Sequence, residues 1–333
     1  MRVGRQDVAL VVYAALAATT AFTLAHYQDR GFAPLAVIGV PLALGARGHP
    51  RLAAAILICS SVLLRLFFLG AAHTDPLDIA HAAAARAWSG GNPYGVGYAV
   101  SLPPGTAYAY GPLGLLWWLP GWPLELLGAI GTMALLAWAR CWITLAIFAA
   151  LPPAVYYNVL GINDYSVGFL LALALVVMRR RRLLGVGLLA GAAAIKPYAA
   201  AWFLPAIGYT GIEGALVLAA TSLALWAPVL FVWSPASYAR STENVEHLRQ
   251  AVGPSGTASG AVDLPLLRWS AIPLEAIGLL ARRWDHMVLT GALVFVVFLF
   301  FSPWTHWGYW IAVAPLIGLA IEWRTPSQRH AAW

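Results

Sequence analysis

Apolar residues run along this chain in long stretches, and short polar breaks separate them. A helix needs about 20 apolar residues to cross a bilayer core about 30 Å thick. On that measure the candidate spans are about 7–25, 32–46, 51–70, 109–122, 127–150, 165–178, 183–195, 198–210, 214–232, 266–281, 286–302 and 306–322. Several are short, so helices that tilt, kink or fail to cross are expected. The pattern predicts an all-α polytopic membrane protein, one integral domain over 1–333, with about 10–12 transmembrane or partly embedded helices.

The apolar pattern fails in a few places. The longest is 71–108, read as a first external loop, and the next is 234–265, read as a second. YYNVLGINDYS (156–166) and SPWTHW (302–307) are shorter breaks. Within the first loop, Asp75 suits a helix N-cap and Pro76 the first helical position. A helix over 76–88 follows, and its Ala-rich face with Trp88 suits the membrane surface. Asp78 falls at the third helical position, with His81 one turn further on the same face. A capping-box role there prefers Glu or Gln. Asp78 is therefore the stronger candidate for chemistry, with Asp75 in reserve.

Composition agrees with the pattern. The chain is 61% hydrophobic and 10% charged, whereas soluble domains are nearer 45–50% apolar and about 25% charged. The net charge of +7 reads as the cytoplasmic excess of membrane proteins, not as a nucleic-acid footprint. Cys59 and Cys141 lie in apolar runs and offer neither a disulfide framework nor a metal spacing. The N-terminal apolar run is longer than that of a signal peptide, so an uncleaved first helix is expected.

With both termini in the cytoplasm, alternate counting puts Arg2, Arg5, Arg47, Arg51, Arg179 to Arg182, Arg282, Arg283, Arg324 and Arg329 inside. Only Arg30, Arg86, Arg240 and Arg249 fall outside, the asymmetry expected of cytoplasmic loops. All the polar breaks named above then share the non-cytoplasmic face. The span at 266–281, which holds Arg268 and Glu275, is the weakest of the set, and an interfacial helix there would reverse the last two spans.

Three cations interrupt the apolar spans: Arg65, Arg140 and Lys196. At 1.5 Å per residue, all three lie about 20 Å from the inner face, in the outer half of the bilayer. A charge at such depth marks function by default, unless it snorkels to the headgroups. Of the 20 Lys and Arg residues only Lys196 is a lysine, and it precedes Pro197. A cationic pocket just below the outer face, beside an acidic loop, suits the phosphate of a lipid.

The order of short motifs resembles that of a known family. Asp78-Ile79-Ala80-His81 is followed by Gly91-Asn92-Pro93-Tyr94 and Ala109-Tyr110-Gly111-Pro112. Then come Gly161-Ile162-Asn163-Asp164, Lys196-Pro197 and Ser302-Pro303-Trp304-Thr305-His306. This series is similar to that of the GT-C membrane glycosyltransferases, closest to glycosyltransferase family 87, which use polyprenyl-phosphate mannose. The likeness runs from about residue 70 to 322, with Ile162 in place of the usual Gln and His81 where Tyr is common.

The resemblance implies a GT-C bundle that moves a sugar, mannose or a related hexose or pentose, from a polyprenyl-phosphate donor. The acceptor would be a lipid, glycan or protein on the non-cytoplasmic face of the cell membrane, and transfer would invert the anomeric carbon. A phosphate leaving group needs positive charge, for which Lys196, Arg65, Arg140 and His306 are the candidates. A direct displacement needs one carboxylate to take the acceptor proton, here Asp78 or Asp75. His81, Asn92, Tyr94, Tyr110, Asn163, Asp164, Glu243 and Trp304 are candidate sugar or acceptor contacts. No cofactor and no metal is expected. The competing class is a secondary transporter or flippase of a lipid-linked or polar solute, suggested by the Pro breaks at Lys196-Pro197 and Ser302-Pro303.

Overall fold

The computed structural model describes residues 5–28, 49–69, 74–246, 265–302 and 307–323. The expected span at 32–46, most of the second external loop, and the candidates Trp304 and His306 lie outside the described residues. The described chain is predominantly helical. Its strands β1 (Gly97–Tyr98) and β2 (Thr106–Ala107) form one small antiparallel hairpin, Gly97 opposite Ala107 and Tyr98 opposite Thr106.

Among the described residues, three helical stretches are long and apolar enough to cross a membrane: Gln6–Thr23, Trp122–Ala139 and Ile212–Trp233. They belong to α1 (Arg5–Gln28), α5 (Trp122–Ala139) and α11 (Ile212–Pro228), the last continued by a π turn, Val229–Trp233. The pair α6 (Trp142–Ala150) and α7 (Pro152–Val159), bent by 51°, reaches that length only with its two helices taken together. Shorter apolar helices fill the rest. These are α8 (Tyr165–Met178), α9 (Arg182–Ile195), α14 (Trp284–Phe300) and α15 (Trp307–Glu322). Their apolar residues, with those of α1, α5 and α6, share one core that includes Tyr13, Leu145, Leu175, Leu189 and Phe295.

Side-chain contacts sort the helix ends into two groups. At one end Arg179 lies over Trp323 and Trp284 (4.3 and 5.1 Å), Arg180 over Trp138 (5.2 Å) and Arg182 over Tyr209 (5.0 Å). Arg282 donates there to the Gly208 carbonyl (2.7 Å), and Glu322 accepts from the Ile143 and Thr144 amides. The opposite end gathers Trp122, which donates to the Asn158 carbonyl (2.9 Å), and Thr74, which donates to the Leu160 carbonyl (3.1 Å). We call them the arginine end and the lysine end, since Lys196 stands at the second.

Two expected spans change. Residues 109–121 hold only one short helix, α4 (Gly114–Trp117), and no crossing. The expected span 127–150 breaks at Arg140, which caps α5 with φ 60° and is exposed. Arg140 therefore stands at the arginine end, two residues from Trp138, and not at depth on the opposite side. α5 and the α6–α7 pair occupy the stretch expected to hold these two spans. The uncertain stretch at 266–281 comprises α13 (Ala271–Ile277) between the 3-10 turns Pro265–Ser270 and Gly278–Leu280. It runs from Arg268 beside the lysine-end cavity to Arg282 at the arginine end.

The break between α6 and α7 explains Arg65. Proline cannot donate to the carbonyl four residues earlier, so Pro152 and Pro153 free the carbonyls of Phe148 and Ala149. On α2 (Pro50–Phe67), Arg65 Nη2 donates to Phe148 O (3.4 Å) and Nη1 to Ala149 O (3.1 Å). Nη2 also reaches Ala154 O (3.2 Å), Ser61 Oγ donates to Ala149 O (2.5 Å), and Thr20 Oγ1 donates to Ala150 O. An orphaned backbone carbonyl in an apolar interior costs about 1–3 kcal/mol, so a broken helix survives there only when other groups satisfy it. Arg65 is committed to that repair.

Candidate functional site

A cavity of about 450 Å³ lies beside Lys196, within the usual range for small-ligand sites. Its polar side presents Asp75, Tyr110, Lys196, Tyr198 and Tyr309. Its apolar side is Trp269, Ile272, Val294, Phe295, Phe298 and Leu299, from α14 and the segment before it. Arg268 and Glu275 also border it.

Lys196 stands where α9 stops. Pro197 holds the preceding residue extended, and Lys196 has φ −127° and ψ 115°. The chain then enters a 3-10 turn, Pro197–Trp202, and the short α10 (Phe203–Thr210). The last carbonyls of α9 are met by another segment: Gly111 N donates to Ile195 O (2.9 Å) and Leu113 N to Ala194 O (3.0 Å). A Cβ on Gly111 would lie 2.2 Å from Ala194 O, so only glycine permits this approach. The Tyr110-Gly111-Pro112 motif thereby seats the Tyr110 ring against Lys196.

The Lys196 ammonium is 1% exposed and 2.5 Å from Asp164 Oδ1, itself 1% exposed. Four rings surround it, with centroids at 5.0 Å (Tyr110), 5.1 Å (Tyr309), 5.8 Å (Trp118) and 5.9 Å (Tyr198). Aromatic faces favour a cation at this range. Asp164 occupies the N-cap position of α8 without capping it. Glu125 of α5 does that work: its Oε2 accepts from the amides of Tyr165 (2.8 Å) and Ser166 (3.0 Å). Its Oε1 accepts from Trp118 Nε1 (3.0 Å) and Ser166 Oγ (2.5 Å). Gly128, one turn later, lets the helices meet closely enough, since a Cβ there would lie 2.4 Å from Ser166 backbone.

The sequence candidates divide. Asp75, Tyr110 and Lys196 meet at the cavity. Asp75 occupies the N-cap position of α3 (Pro76–Trp88) but makes no capping bond; its Oδ2 accepts from Leu102 N (2.6 Å). Asp78, on the first turn of α3, is half-buried and is not part of the cavity wall. His81 is exposed, and its Nε2 is 2.8 Å from the Trp118 carbonyl. Asn92 donates to Trp233 O (2.5 Å) and accepts from Tyr94 N (2.9 Å). Tyr94 packs on Tyr108, Trp233 and Tyr238. These two hold the polar loop after α3 against α12 (Pro235–Glu246), where Glu243 is exposed. Burial pushes the Tyr238 phenol up to about 12, so it stays neutral at ordinary pH. Asn163 is buried beside the Tyr110 hydroxyl, off the cavity. Arg65 and Arg140 do not border it either.

Sequence reasoning missed Glu125, Trp118, Tyr198 and Tyr309. Glu125 carried a signal, an acid within the first turn of an apolar run. The three aromatics carried none, because Tyr and Trp are ordinary at membrane interfaces. Comparison with protein-family models, curated proteins and solved structures found no match to this chain.

Proposed function

We propose that this chain is a membrane glycosyltransferase of the GT-C type, a polytopic bundle with its lysine end on the non-cytoplasmic face. It would transfer a sugar from a polyprenyl-phosphate donor to a lipid or glycan acceptor, with inversion. One observation carries the reading: a single cavity combines a buried ammonium, a carboxylate and an apolar flank.

In this reading Lys196 meets the donor phosphate and stabilises the charge that grows on it as the glycosidic bond opens. The prenyl chain lies along Phe295, Phe298 and Ile272. Asp75 takes the proton from the attacking hydroxyl. Its place in the cavity wall favours it over Asp78, which the family motif singles out. Tyr110, Tyr198 and Tyr309 offer hydroxyls and ring faces to the sugar.

The test is incubation of the purified protein with polyprenyl-phosphate mannose and candidate lipid acceptors, following release of polyprenyl phosphate. Release that depends on acceptor supports the transferase. The Pro197 break beside a buried ion pair also suits a transporter site, and a transporter would leave the donor intact while moving it between leaflets of a vesicle.

A further inference from the structure

Asp164 is a sugar-contact candidate by sequence, yet its carboxylate lies behind Lys196. Asp164 borders a separate small void with Thr132, Phe148 and Gly168, and only Lys196 of the pair borders the large cavity. The ammonium is thus held from one side and presented on the other.

We propose that Asp164 is a positioning residue, the counter-ion that keeps Lys196 charged and aimed into the cavity so that a phosphodiester can bind across the neutral pH range. This rests on the phosphate-binding reading of Lys196. Burial disfavours a charged ammonium, and the aromatic rings only partly offset that. A carboxylate in direct contact is what makes a buried cation tenable. The groups facing Lys196 are Asp164 from α8, Tyr110 and Trp118 from the segment around α4, Tyr198 from the 3-10 turn and Tyr309 from α15. Glu125 stands behind them on α5, its carboxylate tied to Trp118 and to the two amides that follow Asp164. It fixes the start of α8, and with it the place from which Asp164 reaches Lys196.

The experiment uses the full chain in detergent with citronellyl methyl phosphate, a diester that stays singly charged near neutral pH. For the wild type, affinity should hold within about twofold between pH 6 and pH 8.5. In Asp164→Asn the stripped ammonium gives up its proton as pH rises, so affinity should fall by about tenfold or more over the same range, the limit for one proton being tenfold per pH unit. Asp164→Glu should restore a flat profile. A uniform loss in Asp164→Asn, with the wild-type pH profile, overturns the proposal while leaving the phosphate site standing. Failure of the wild type to bind the diester at any pH overturns the phosphate reading itself. Lys196 is the sole lysine, so 13Cε-lysine labelling yields one signal and tests the wild type even if the variant fails to fold. That signal should report ammonium up to pH 8.5; conversion to the amine below pH 8 defeats the idea.

Discussion

Arg65 Nη1 lies 3.1 Å from the Ala149 carbonyl, the group that Pro153 frees in the break between α6 and α7. The guanidinium spans the carbonyls of Phe148, Ala149 and Ala154 with one planar fork, which an ammonium cannot do. We expect Arg65→Lys and Arg65→Met to lose about 1–3 kcal/mol of stability, since each takes the Arg65 donor from the Phe148 carbonyl, while Ser61 still meets Ala149 and Tyr165 still meets Ala154. Intrinsic-fluorescence melting in detergent measures the loss. Phosphodiester affinity of the folded fraction should be unchanged, and a selective affinity loss without lower stability contradicts the structural role.

Asp75 borders the cavity and Asp78, three residues on, does not. Asp75→Asn keeps an oxygen for Leu102 N but no base, so sugar transfer should slow by about 10² or more. Asp78→Asn should cost less than about threefold, because losing a carboxylate off the reacting groups removes no proton acceptor. Single-turnover transfer rates of the two variants decide it, and the reverse ranking returns the base to Asp78.

Lys196→Met should weaken phosphodiester binding about tenfold or more, the equivalent of a charged donor worth about 1.5–3 kcal/mol. The loss should be larger in transfer rate than in affinity if charge on the phosphate grows as the bond breaks. Equal losses in both would limit Lys196 to ground-state binding.

Glu125→Gln replaces one acceptor oxygen with a donor facing either the α8 amides or Trp118 Nε1. Removing that match should destabilise the protein by about 1–3 kcal/mol. Hydrogen exchange should rise at Tyr165 and Ser166 before it rises in α14, which Glu125 does not touch. Uniform exchange across both helices would make the loss global.

The arrangement of ends is testable by labelling in a Cys59→Ala, Cys141→Ala background. Val100 and Arg181 are both exposed, Val100 in the external loop and Arg181 at the arginine end. Val100→Cys should react with an impermeant thiol reagent added to intact cells, and Arg181→Cys should not. Labelling of the second alone would invert the topology.

Hydropathy was enough to mark the helical class and the long polar loop. Those depend on local composition, on length per residue and on where prolines cut the apolar runs. Lys196 was legible for the same reason, as a lone lysine before Pro197 in an oily stretch. What needed the tertiary structure was the destination of each polar side chain. Arg65, Arg140 and Lys196 look alike as cations at similar depth, but depth was counted along straight helices. The break at Arg140 moves that residue to the opposite end, and the break at Pro152 gives Arg65 carbonyls to satisfy. Asp164 and Glu125 stand 39 positions apart, and only the close approach of α5 and α8 at Gly128 sets one to hold the helix from which the other grips Lys196. Desolvation forces every buried polar atom to find a partner, and the partners available are a property of packing, not of spacing.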